Sequence, residues 1–157
     1  MPQKFWLMKS EPETYSIDHL RKDKTTWWEG VRNYQARNSM MKDMQVGDLV
    51  LFYHSNAEPP GIAGLATVSQ KAVPDPSQFN KKSDFFDPKA TKEKPNWFCV
   101  QLEFKVKFKK LLTLEEIKKE KKLAQMVVVQ KGSRLSVQPV TQPDFEFICT
   151  KPELVEN

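Results

Sequence analysis

Residues 97–110, WFCVQLEFKVKFKK, alternate apolar and polar side chains through their second half. Leu102, Phe104, Val106 and Phe108 fall on one side of an extended chain, and Glu103, Lys105, Lys107 and Lys109 on the other. A period of two belongs to a strand, because successive Cβ atoms there point to opposite faces. Lys105, Lys107 and Lys109 could track a phosphate backbone. They also suit an edge strand kept soluble by lysine, and that reading is the one favoured here.

The rest of the chain supplies partners for this strand at short intervals. KFWLMK (4–9), LVLFYHS (49–55), IAGLATVSQ (62–70) and RLSVQPV (134–140) read as strands, with the turn EPPG at 58–61. Gly64 inside such a run marks a close backbone approach. SIDHLRKD (16–23) reads as a helix capped by Ser16, with Ile17 and Leu20 on one face. ARNSMMKDM (36–44) reads as a second, with Met40, Met41 and Met44 on its buried side. TLEEIKKE (113–120) carries the capping-box pair Thr113 and Glu116, and TQPDFEFIC (141–149) reads as a capped final helix. LAQMVVVQKG (123–132) stays open, since its valines favour a strand while the Leu123, Met126, Val127 spacing and Gly132 favour a short helix. The strands lie too close together for βαβ units. The expected fold is α+β, a small, mostly antiparallel sheet curled into a barrel with helices around it. Neither a repeat nor a boundary divides the chain, so residues 1–157 are expected to form a single domain.

Composition narrows the function classes. With 39% hydrophobic and 29% charged residues, and 11 prolines against 5 glycines, the 157 residues read as a soluble domain with fixed turns. No run reaches the roughly 18–20 apolar residues of a membrane span. The start, MPQKFWLMKSEPE, lacks the form of a secretion signal, so an intracellular protein is expected. Cys99 and Cys149 are each flanked by apolar residues and read as reduced, buried thiols. His19 and His54 have no Cys or His at ligand spacing, and neither a metal nor another cofactor is expected. The net charge of +5 mildly favours a polyanionic partner.

Four stretches could carry chemistry. WEGVRNYQARN (28–38) combines flat faces on Trp28, Tyr34 and Arg37 with the carboxamides of Asn33, Gln35 and Asn38. Carboxamides read base edges and aromatic rings stack on base faces. The bland reading has Trp28 and Tyr34 plugging the core while the polar groups cap the next helix. KSEP (9–12) puts Lys9, Ser10 and Glu11 at a strand end, where they could meet a ligand or merely end the strand. FYHS (52–55) offers Tyr53, His54 and Ser55, but neighbours on a strand face opposite ways, which argues against a His–Ser nucleophile pair. GSRLSV (132–137) places Arg134 and Ser136 on one face of a strand, where Arg134 could clamp a phosphate or form a surface ion pair. The 74–96 segment, rich in Pro, Asp and Lys, is a connection of a length that is more often functional than idle. Gly-rich phosphate loops and nucleophile elbows are absent from the sequence.

Taken in order, FWLMKSEPETYS, WWEGVRNYQARN, GDLVLFYHSN, PGIAGLATV and RLSVQPVT resemble the EVE domain family over about residues 5–149. The resemblance implies a PUA-like fold, a mixed, curled β-barrel flanked by short helices, related to YTH and ASCH domains. It also implies a helix at 123–132. The function it implies is non-enzymatic recognition of a modified base, chiefly modified cytosine in DNA and possibly RNA, flipped into an aromatic and polar pocket. Lys9, Ser10 and Glu11 would form one lip, Trp28 with Asn33, Tyr34, Gln35, Arg37 and Asn38 the opposite one. Tyr53, His54, Ser55, Arg134 and Ser136 would complete the wall. The absence of the basic extension of nuclear members implies the compact bacterial type, hence a cytoplasmic protein, or a nuclear one if eukaryotic. Cleavage would need a nuclease partner. Two alternatives follow: a small-pocket enzyme hydrolysing an acylated nucleoside, as in related ASCH-type barrels, with Lys9 and Glu11 as acid and base; or an assembly module whose contact is the 74–96 loop.

Overall fold

The computed structural model describes residues 2–155. Its six strands form one mixed sheet in the order β2-β5-β4-β3-β1-β6. They are β1 (Phe5–Ser10), β2 (Thr25–Trp27), β3 (Leu49–His54), β4 (Gly61–Pro74), β5 (Phe98–Thr113) and β6 (Val137–Val140). Only β1 and β3 run parallel; the other pairings are antiparallel. Among the described residues no ladder joins β2 to β6, so the sheet is open and the expected barrel is not closed.

Helices cover both faces. On one, α1 (Ile17–Asp23) and α2 (Tyr34–Asn38) bury Ile17, Leu20 and Ala36 against Trp6, Met8, Trp28 and Phe52. On the other, α3 (Leu114–Lys119) and α4 (Gln142–Cys149) bury Ile117, Phe145 and Ile148 against Phe5, Leu7, Leu51 and Tyr53. A strand buried on both sides has no solvent face to mark with polar residues, which is why FWLM and LVLFY are continuous apolar runs. The caps read from sequence form: Ser16 accepts from His19 N, Thr113 from Glu116 N and Thr141 from Asp144 N.

The structure corrects the reading of β5. Ala66 pairs with Phe104 while its neighbour Leu65 pairs with Val106, so Lys105 is an extra residue in a bulge. One extra residue exchanges the faces beyond it. Leu102 and Phe104 therefore pack with the α1 face, and Val106 and Phe108 with the α3 face. The lysines form no single row: Lys107 pairs with Asp18 at 2.6 Å and Lys109 with Glu153 at 3.6 Å, while Lys105 is exposed. Nor is this strand a free edge. β2 covers residues 101–103, and the chain end lies along 107–109, with Lys109 N–H donating to Glu153 O and Val155 N–H to Lys107 O.

Other segments shift as well. The second helix begins earlier than expected and continues as a π-helical turn, Ser39–Asp43, which buries Met40 and Met44 but turns Met41 to the surface. Residues 123–132 form neither strand nor α-helix. Two single 3₁₀ turns, Lys121–Leu123 and Val127–Val129, bury Leu123 and Val128, and Gln130 Nε2 closes the segment on the carbonyl of Ala124. The expected strand at 134–140 starts only at Val137, and β2 had no counterpart in the sequence reading. Cys99 is buried, with burial pushing its thiol up to about 12, and Cys149 is half-buried; both are free. No helix among the described residues is long and apolar enough to cross a membrane.

Gly64 is the close approach its position suggested. A Cβ there would collide with the carbonyl of Val106 on β5 and crowd Ile17 of α1 at 3.0 Å. The first neighbour is backbone and cannot rotate away. Gly64→Ala is expected to destabilise the fold by about 1–3 kcal/mol in urea denaturation, as overpacking does.

Candidate functional site

The parallel pairing of β1 with β3 brings two carboxyl ends side by side. Ser10 lies opposite His54, and Ser55 N–H donates to Ser10 O at 2.9 Å. Lys9 N–H reaches Ser136 O at 2.9 Å, which draws the segment before β6 to the same end. β2 arrives from the other side, and Trp28 extends it by donating its N–H to Val100 O at 2.8 Å. These chain ends enclose a cavity of about 1000 Å³. Its walls include Lys9, Ser10, Glu11, Trp28, Ser55, Arg134 and Ser136 from the sequence reading. They also include Trp27, Glu29, Gly30, Arg32, Asn56 and Phe85, which that reading left out.

Trp28 belongs both to the core and to the cavity wall. The indole is only 8% exposed and meets Phe52 edge-on, with ring centroids 5.4 Å apart, yet it forms part of the cavity wall. The indole N–H groups of Trp27 and Trp28 have no protein partner among the described residues. No buried side-chain polar atom is left unpaired there, so both N–H groups are open to solvent. Around them stand groups whose hydrogen bonds are already made: Ser10 Oγ donates to Tyr15 O at 2.6 Å, and Glu11 Oε1 accepts from Asn56 Nδ2 at 2.7 Å. The Glu29 carboxyl makes no hydrogen bond among the described residues, while its N–H donates to Trp27 O at 3.0 Å. Partial desolvation raises its carboxyl above the usual range, the charge of Asp75 adds to this, and Arg32 opposes it. Burial lowers the Lys9 ammonium. Arg134 is exposed and carries no ion pair among the described residues.

The rim is built by Asp75, whose side chain is fully buried. It accepts from Gly30 N at 2.8 Å, from Arg32 Nη1 at 3.1 Å, and from the Ser77 amide and hydroxyl. Burial alone would raise this carboxyl. The bonds from Ser77, Gly30 and Arg32 outweigh it and hold the group below the usual range. Arg32 also donates to Ser77 Oγ at 3.0 Å and twice to Phe85 O, at 2.7 and 3.1 Å. Its guanidinium stands 5.5 Å from the Phe85 ring and 5.3 Å from that of Trp97. The sequence signal for Arg32 was its place in WEGVRNYQARN, but the residues that follow it drew the reading instead.

Those following residues lie elsewhere. Asn33 caps α2, its Oδ1 accepting from Ala36 N at 3.0 Å. The helix then turns Tyr34 onto Trp97, stacked at 4.9 Å and 23°, and Tyr34 does not line the cavity. Arg37 donates to Asn96 O at 2.9 Å and to the Asn38 side chain, so both serve the end of the 74–96 segment. Gln35 is exposed and outside the cavity. Tyr53 points to the opposite face of the sheet, buried beside Ile62 and Leu112. His54 accepts from Ile17 N at 3.1 Å and faces the Phe52 ring, and burial lowers its basicity. Neither lines the cavity. Arg134 and Ser136 do, but from irregular chain preceding β6 and not from a strand. Lys105, Lys107 and Lys109 are remote from it. A second cavity, of about 570 Å³ between β5, α3 and residues 151–153, is lined by the ion pairs of Lys151 with Glu120 and Lys109 with Glu153 and by Lys110. Among the described residues no three His, Cys, Asp or Glu side chains are grouped to hold a metal ion.

Removing the Asp75 carboxyl would strand Gly30 N–H and the Arg32 guanidinium. Arg32 is partly exposed, which softens the loss. Asp75→Ala is expected to cost about 2–4 kcal/mol in urea denaturation. Because the folded carboxyl is held low, its stabilising share is present above the unfolded value and lost as pH falls below about 4. The gap between wild type and Asp75→Asn should close over that acid range.

The EVE domain profile matches residues 4–151. A hypothetical protein from Leishmania major superposes with a TM-score of 0.91 at 48% identity, over 95% of this chain and 94% of that one. The human THYN1 protein, crystallised in complex with DNA containing 5-methylcytosine, superposes with a TM-score of 0.88 at 38% identity, over 94% and 96%. Human thymocyte nuclear protein 1 is 39% identical over 167 residues, covering 94% of this chain and 73% of its own. The match runs over nearly the whole chain, which belongs to the EVE domain family.

Proposed function

We propose that this protein is a non-enzymatic reader of a modified base, with modified cytosine in DNA as its ligand class. The open, bulged sheet would be the PUA-like platform of that reader, and the cavity at the ends of β1, β2 and β3 the seat of the extruded base. The observation that carries this is one wall of the cavity: two neighbouring indoles with unpartnered N–H groups, next to the unbonded carboxyl of Glu29. At about 1000 Å³ the space is at the upper end of the ~300–1,000 Å³ usual for small-ligand sites.

A cytosine turned out of the helix presents an amino donor and two acceptors on its pairing edge. The donor suits a carboxylate and the acceptors suit indole or hydroxyl donors, so Glu29, Trp27 and Trp28 complement the base without further charge. Lys9, Ser10, Glu11, Ser55 and Ser136 close the other wall, and Arg134 at the mouth holds a flanking phosphate. Extrusion costs a few kcal/mol, and each aromatic stack offsets about 1–3 kcal/mol of it. Such a reader works where the nucleic acid is, in a bacterial cytoplasm or a eukaryotic nucleus, and needs a nuclease partner for any cleavage.

The test is a titration against short duplexes that differ at one central cytosine, plain or carrying a 5-substituent. Wild type is expected to prefer a modified form, and equal, weak binding to all duplexes at low salt would sink the reading. Trp27→Ala should lower affinity for that form by about 2- to 12-fold, the worth of one hydrogen bond. Trp27 is preferred to Trp28 for this purpose because Trp28 also supports the core through Phe52. The Glu29 carboxyl must be ionised to accept from the amino group. Affinity should therefore fall as pH drops through its raised range, and Glu29→Gln should abolish that fall.

A further inference from the structure

Phe85 is 45% exposed on the rim of the cavity, yet its backbone is held firmly. Its carbonyl takes both bonds from Arg32, its N–H donates to Ser83 Oγ at 3.0 Å, and its ring rests on Gly30, where a Cβ would come within 2.8 Å of it. The segment beyond is held too, Asp87 accepting from Trp97 Nε1 at 2.8 Å and Asn96 Nδ2 at 3.1 Å. On this pedestal stand Lys81, Lys82, Lys89, Lys92 and Lys94, all exposed and without an ion pair among the described residues.

A rigid aromatic among unpaired cations, at the mouth of a cavity suited to a base, has the chemistry of a nucleic-acid contact. We infer that the 80–96 loop is a second limb of the nucleic-acid interface. In it, Phe85 stacks on the nucleotide next to the extruded one, and Lys81, Lys82 and Lys89 hold the neighbouring phosphates. Arg32, between the Phe85 and Trp97 rings, fixes the height of the phenyl and adds positive charge behind it. The inference rests on the base-reader reading and extends it to the strand around the base.

Wild type, Phe85→Ala, Phe85→Trp and the triple variant Lys81→Ala, Lys82→Ala, Lys89→Ala are titrated at several salt concentrations with duplexes carrying one central 5-methylcytosine or plain cytosine. Phe85→Ala should lose about 5- to 150-fold in affinity with an unchanged salt slope, and Phe85→Trp should retain binding. The triple variant should lower the slope by about 0.9 for each phosphate contact removed, for both duplexes alike. The lysines are exposed, so thermal unfolding of the triple variant should be unchanged, while Phe85→Trp keeps a ring on Gly30 and beside Arg32 and so separates lost contacts from lost fold. If wild type discriminates between the duplexes while Phe85→Ala and the triple variant match it in affinity and slope, this inference falls alone. A protein partner on the loop would give that same result. If wild type fails to discriminate, the base-reader reading falls and takes this inference with it.

Discussion

The buried carboxylate of Asp75 organises everything at the working end of the molecule. It sits at the end of β4, a strand fixed by long pairing with β5, and reaches sideways to Gly30 and Arg32. Without it, Gly30 N–H would lose its partner and Arg32 its ion pair, leaving Arg32 on Val31 O, Ser77 Oγ and Phe85 O alone. A charge with no exposure is tolerated only when its lone pairs are filled, and here four donors fill them. One residue thereby couples the chain before α2 to the chain after β4. Gly30 is suited to its part: its φ of +88° and the phenyl ring packed on it both exclude a side chain.

The sheet constrains the site in a second way. Two layers of helices leave one end of the sheet uncovered, and only the parallel pair β1 and β3 directs two carboxyl ends toward it. Backbone groups past the last ladder bond must find partners, and they do so with one another: Ser55 with Ser10, Lys9 with Ser136, Trp28 with Val100. Those bonds set the cavity's outline before any side chain is considered.

Local signals in the sequence were read soundly where one residue decides the outcome. The caps Ser16, Thr113 and Thr141 act within three residues of themselves, and Gly64 shows its role by lacking a side chain amid branched neighbours. What depends on distant pairing was not legible. The bulge at Lys105 arises from register with β4 and leaves the alternation of β5 intact in sequence while exchanging its faces in space. The carboxamides of 33–38 resemble base-reading groups in composition, but α2 begins at Tyr34, so Asn33 becomes a cap and Asn38 braces Arg37, which binds the loop end at Asn96. Trp27, Glu29 and Arg32 sit beside them in the same stretch. Only the turn at Gly30 and the Asp75 contact, 45 residues away, separate the two groups.

That separation suggests how a small domain can hold a base at modest cost. Ordering a free side chain on binding costs about 0.5–1.5 kcal/mol, on top of the few kcal/mol of extrusion. Here folding has already fixed Ser10 on Tyr15 O, Glu11 on Asn56 and Arg32 on Asp75. These groups shape the cavity and have little hydrogen-bonding capacity left for a ligand. The Trp27 and Trp28 N–H groups, the Glu29 carboxyl and the Arg134 guanidinium are the reverse: they belong to wall residues and have no protein hydrogen bond to give up among the described residues. A ligand that bonds to them displaces only water. On the proposed reading, the side chains that fix shape are those whose bonds are made within the protein. Those that read the base are left unbonded by the fold, which is why the two sets interleave within a few residues of WEGVR yet answer to different constraints.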